Sequence, residues 1–144
     1  MKTRIFGLAA VALALALPLS VQAQGGAPPF AGAKSMTTEA ALAQAPKLDP
    51  TLAPLDKAFT AAAAALKKSP KDAKAKQAYV DAAYKYGKTA EDNANNKLPR
   101  PIQYRAALAL YRKALAVDPK HKLSLDEKQK IDDIYKGMPG GIPK

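Results

Sequence analysis

From Ala107 to Pro119 the chain sets Ala107, Tyr111 and Ala114 on one helical stripe and then stops it at Asp118-Pro119. Proline lacks a backbone N–H and its ring collides with the preceding turn, so an ordinary helix does not run on through that point. Ala58, Ala62, Ala65 and Pro70 stand at the same mutual offsets, as though one helix-then-stop unit were used twice. A chain punctuated in this way is limited to short helices joined by turns and packed side by side. That architecture suits a docking scaffold better than a catalyst.

Four helical segments are predicted. The first runs from about Leu52 to Lys68, with Leu55, Phe59, Ala62 and Leu66 at i, i+4, i+7 and i+11, and with Pro54 confined to the first turn. The second starts near Asp72 and carries Ala75, Tyr79, Ala82, Ala83 and Tyr86 on its packing side as far as Gly87 or slightly beyond. Asn-rich sequence from Glu91 to Lys97 and the prolines Pro99 and Pro101 then predict the longest internal loop. A third helix, from about Ile102 to Val117, places Tyr104, Leu108, Tyr111 and Leu115 on a stripe that Ala107, Leu110, Ala114 and Val117 widen. So wide an apolar face predicts packing on two neighbours. The fourth helix is expected to open on a capping box, Ser124 to Glu127, and to present Ile131, Ile134 and Tyr135. No segment reads as a strand with comparable strength, and the expected class is all-α, built of antiparallel helical hairpins with disordered tails.

The two ends read differently. Lys2 and Arg4 precede an apolar run from Ile5 to Leu17, and Val21-Gln22-Ala23 supplies a small-x-small cleavage site, the pattern of a secretory signal peptide over residues 1–23. The apolar run spans only about 20 Å as a helix, short of the ~30 Å hydrocarbon core, so a permanent anchor is the second choice. The expected destination is the periplasm or the exterior. Residues 24–50 are rich in Gly, Pro and Ala and predict a flexible tether. Thr37 or Thr38 could cap two turns of transient helix from Glu39 to Ala45, ahead of Pro46. Residues 51–136 form the expected helical domain, and residues 137–144, with Gly137, Gly140 and Gly141 among prolines, a frayed tail.

Charge narrows the partners. Cleavage after Ala23 removes two of the 23 basic residues and none of the 12 acidic ones, lowering the net charge from +11 to +9. An exported chain of this charge meets acidic proteins, envelope polymers or anionic headgroups, and no nucleic acid partner is expected. Cysteine is absent, which excludes a disulfide framework and a lipidated cysteine. His121, the sole histidine, lies between Lys120 and Lys122 and reads as a solvated loop residue. No metal, cofactor or catalytic constellation is recognisable, because the carboxylates are scattered and the Gly-Gly pairs lie in tails.

The segment AALALYRKALAVDP resembles the second helix and exit turn of a tetratricopeptide repeat, through Ala107, Tyr111, Ala114 and Pro119. Ala58, Ala62, Ala65 and Pro70 form a weaker copy in which Ala62 replaces the aromatic. Tyr79 and Ala83 fall where the first helix of the next repeat has its core residues, and Val80 where the family prefers a small residue. Pro70 and Pro119 are 49 residues apart against about 34 in that family, which implies an insertion in the Asn93 to Pro101 loop. The resemblance implies a short, interrupted member binding protein or peptide partners, acidic ones among them. First helices of such repeats line a groove, so Lys74, Gln77, Asp81, Tyr84 and Lys85 are the implied partner-binding residues. Tyr84 is off the packing stripe, so Tyr84→Ala is expected to leave folding nearly unchanged. A basic protein that holds polyanions or anionic membrane surfaces is the alternative, and self-association would help so short an array.

Overall fold

A computed structural model describes residues 36–144. The expected signal peptide, its cleavage site and residues 24–35 of the expected tether lie outside the described residues. The described chain is all-helical: α1 (Thr38–Leu48), α2 (Ala53–Lys68), α3 (Ala73–Asp92), α4 (Arg100–Val117) and α5 (Lys122–Lys136), with a 3-10 turn at Pro50–Leu52.

α4 is the organising element, and its wide apolar face reaches three neighbours where two are predicted. Ten of its residues are buried, and it packs on α1, α3 and α5. On one flank Ile102, Ala106, Ala109 and Leu110 share a core with Ala41, Leu42 and Ala45 of α1 and with Leu52, Tyr86 and Ala90. On another, Ala107, Leu108 and Tyr111 pack with Ile131 and Tyr135 of α5. Val80 and Ala83 of α3 close on Ala114 near the far end. α3 and α4 are antiparallel, with Val80 near Val117 and Gly87 against Leu110 and Tyr111.

The expected tether differs from what folds. α1 is a packed helix: the Thr37 hydroxyl accepts the Ala40 N–H (3.1 Å), and Thr38, Ala41, Leu42 and Ala45 are buried. Two or three turns are marginal alone, but tertiary packing of one face stabilises such a helix. Small residues on α1 and α4 allow their close approach. Pro46 sits in the last turn, and the helix ends where Asp49 N–H reaches the Ala45 carbonyl. Asp49 then caps the 3-10 turn, accepting the Thr51 N–H and hydroxyl, and these bonds, the hydroxyl first, hold its carboxyl below the usual range.

α2 has no fully buried residue; Leu55, Phe59, Ala62 and Leu66 are half-buried, and the Phe59 ring lies 5.2 Å from that of Tyr79. α3 continues past Gly87 to Asp92, so the long loop shrinks to Asn93 to Pro99. That loop is pinned from within. Asn93 takes the left-handed conformation (φ 39°) that ends α3, and its side chain both donates to the Leu98 carbonyl (2.8 Å) and accepts the Leu98 N–H (3.0 Å). Leu98 is thereby delivered into the core.

Two terminal expectations are also revised. α5 starts at Lys122, ahead of the expected capping box, because His121 Nδ1 accepts the Ser124 N–H (3.3 Å) and binds its hydroxyl (2.8 Å). The histidine is a half-buried helix cap, not a solvated loop residue, and Ser124 is buried. Residues 137–144 are held at several points instead of fraying: Met138 packs on the α4–α5 cluster, Arg112 donates to the Pro143 carbonyl (2.8 Å), and Thr38 N–H donates to Lys144 O (3.0 Å). Gly140 and Gly141 supply the positive φ (109° and 65°) that turns this segment back.

Candidate partner-binding surface

α3 positions all five implied binding residues. Asp72 starts the helix by accepting the Lys74 N–H (2.9 Å), and spacings of three and four residues then bring Lys74, Gln77, Asp81 and Lys85 onto one outward stripe. All four are exposed. Gln77 Nε2 donates to Asp81 Oδ1 (2.7 Å), so these two present one joined polar patch between the lysines. Neither Lys74 nor Lys85 has a salt-bridge partner among the described residues.

Tyr84 departs from its expected exposure. It is half-buried against the α4–α5 cluster, with its ring 6.1 Å from that of Tyr111 and 5.6 Å, edge-on, from His121. The reason is that α3 has two packing sides. One meets α2 and the 3-10 turn, while the other meets α4 at the point where α5 turns back. Tyr84 thus forms an aromatic shelf beside the polar stripe, joining surface to core.

Below that shelf lies a buried polar cluster absent from the sequence reading. The Tyr111 hydroxyl donates to Glu91 Oε2 (2.6 Å), and Gln103 Nε2 donates to the Glu91 carbonyl. Burial raises the Glu91 carboxyl above its ordinary range, although Tyr111 and Lys88 pull the other way. Lys88 bonds Asp92 (3.0 Å) and lies 3.7 Å from Glu127 of α5, tying α3 to α5 across α4. Burial also lifts the Tyr111 hydroxyl far above the usual phenol range. The arrangement fits a structural clasp: Tyr111 stays protonated and donating, and Glu91 is filled by its neighbours. An aromatic predicted for the core with a carboxylate twenty residues before it was the one available sign.

A shallow depression of about 220 Å3 lies at the end of the stripe, lined by Ala73, Lys76, Gln77 and Val80 of α3 with Val117 and Asp118 from the end of α4. Among the described residues no group of three His, Cys, Asp or Glu side chains could hold a metal, and no helix is long and apolar enough to cross a membrane. No family model matches the chain, and neither the curated proteins nor the solved structures offer a match.

Proposed function

We propose that the chain is an exported helical scaffold of tetratricopeptide kind that binds protein or peptide partners in the bacterial cell envelope, with no catalysis of its own. The observation that carries this reading is the outward stripe of α3, where two unpaired lysines flank the Gln77–Asp81 patch beside the Tyr84 shelf. Lysines would hold a partner's carboxylates, the Gln–Asp pair would meet its backbone amides, and the ring edge would cover apolar side chains. α3 and α5 both rest on α4, so the stripe has a firm backing. α1 covers another flank of α4, which leaves the α3 side as the face open to a partner.

Pull-down from envelope extract in moderate salt, followed by rebinding of each purified partner, tests the reading. Lys74→Ala with Lys85→Ala should release a partner that the unaltered chain retains. Equal retention by both proteins would remove the stripe from consideration.

A second reading, electrostatic binding of polyanions or anionic surfaces, is favoured by a different observation. The α2–α3 turn, with Lys67, Lys68 and Lys71 beside it, and the α4–α5 loop, with Lys120 and Lys122, lie at one end of the helices, and none of these lysines has a salt-bridge partner among the described residues.

A further inference from the structure

We infer that this lysine-rich end is a docking surface for an anionic lipid bilayer, an inference that rests on the second reading above and gives it a partner. α2 ends, α3 begins, α4 ends and α5 begins at the same pole, because consecutive helices from α2 onward are antiparallel. The depression shared by Ala73, Lys76 and Gln77 with Val117 and Asp118 fixes the two connections side by side. Lys67, Lys68, Lys71, Lys76, Lys120 and Lys122 are all exposed there, and none has a salt-bridge partner among the described residues.

The carboxylates within these connections are occupied otherwise. Asp72 accepts the Lys74 N–H and Asp118 the Lys120 N–H (3.0 Å), so both serve as caps; Asp126, on the first turns of α5, and Glu39, paired with Lys113, are the further acids toward this end. Among the paired lysines, Lys113 lies on Glu39 near this pole, and the rest lie on Asp92, Asp49, Asp132, Glu127 and Asp133. Six exposed lysines without a salt-bridge partner among the described residues thus share this pole.

Two leucines choose the bilayer over a soluble polymer. Leu123 and Leu125, in the first turn of α5 directly after Lys122, are 51% and 44% exposed. A polyanion in water gains nothing from them, whereas at a headgroup layer lysines hold the phosphates and leucines enter the acyl boundary. The described chain also begins at this pole, since Glu39 of α1 pairs with Lys113 near the end of α4 (3.0 Å).

The test is flotation of the full chain with vesicles of phosphatidylcholine alone or with about one third phosphatidylglycerol. Any affinity from the apolar run Ile5 to Leu17 is common to every variant and is read on the neutral vesicles. Each lysine near an anionic surface is worth about fivefold in affinity, so Lys68→Gln, Lys71→Gln, Lys120→Gln and Lys122→Gln together should weaken binding to anionic vesicles at least about a hundredfold. Lys47→Gln, Lys97→Gln, Lys130→Gln and Lys136→Gln, which remove the same charge elsewhere, should leave it within about threefold. Leu123→Ser with Leu125→Ser should weaken vesicle binding about tenfold or more and leave binding to soluble polyphosphate unchanged. Circular dichroism checks that each variant stays folded. Leucine substitutions without effect on vesicles, while polyphosphate is still bound, would overturn the bilayer inference and keep the polyanion reading. Failure to bind either probe, or equal losses in the two lysine variants, would overturn both.

Discussion

At Gly87 a single hydrogen atom sets how closely two helices approach. A Cβ there would stand 2.8 Å from Tyr111 Cε1 and 3.3 Å from the Leu110 Cβ. The Tyr111 ring cannot easily yield, because its hydroxyl is tied to Glu91. Gly87→Ala should therefore destabilise the fold by about 1–3 kcal/mol, against the ~1 kcal/mol gain alanine gives in an open helix; a urea titration that shows stabilisation would show that the crossing has slack. Tyr111→Ala should lose about 3–5 kcal/mol, and Tyr84→Ala about 1–2 kcal/mol, since its ring is only half-buried. The loss at Tyr84 corrects the neutrality expected from sequence, and equal melting temperatures for Tyr84→Ala and the unaltered protein would restore it. Glu91 adds a pH dependence. Its folded carboxyl titrates above the unfolded value, so its contribution to stability is present below the unfolded pKa and lost as pH rises through the folded one. Glu91→Gln keeps an oxygen for Tyr111 without the buried charge. Thermal melts should find it at least as stable as the unaltered protein at neutral pH, with the difference shrinking in acid.

Helices show the same dependence on neighbours. α1 survives because Ala41 and Ala45 face a core that includes Ala106 and Ala109. Ala45→Leu should lower the urea midpoint by the equivalent of about 1–3 kcal/mol through overpacking, whereas Ala43→Leu, on the exposed side, should be near neutral. Matching midpoints for the two would mean that α1 does not pack as described. This helix was illegible in sequence for a physical reason: its buried surface is mostly alanine, and alanine at a close helix contact looks like alanine in a tether. Periodicity did expose the α4 stripe, since Tyr104, Leu108, Tyr111 and Leu115 are large and recur every three or four residues. It also exposed the α2 face. It assigned α3 one packing side only, so Val80, Gly87 and Ala90 were missed and Tyr84 was placed in solvent. The four outward residues Lys74, Gln77, Asp81 and Lys85 were legible because charge on a helix seldom points inward. His121 as a cap and Asn93 as a clamp were not, because both depend on backbone conformation that spacing does not encode.

Across the whole molecule, the three apolar clusters share one helix. α4 contributes to the core with α1, to the core with α5 and to the contact with Val80 and Ala83 of α3. Loss of α4 therefore dissolves all three together, whereas α2 can loosen with only half-buried side chains to expose. Native-state hydrogen exchange should rank the helices accordingly. Amides of Leu108 to Ala114 should exchange only through global unfolding, with a denaturant dependence equal to that of the equilibrium titration. Amides in the middle of α2, from Ala61 to Ala65, should open at a clearly lower free energy with a weaker denaturant dependence, because little apolar area is uncovered. The Lys88–Glu127 tie should place the α3–α5 contact between these extremes. If α2 and α4 exchanged with the same free energy and slope, the domain would be a single cooperative unit and the shared role of α4 would not set the order. If α4 opened before α2, its place at the centre of the three clusters would be refuted, and the rigid backing required by the α3 stripe would go with it.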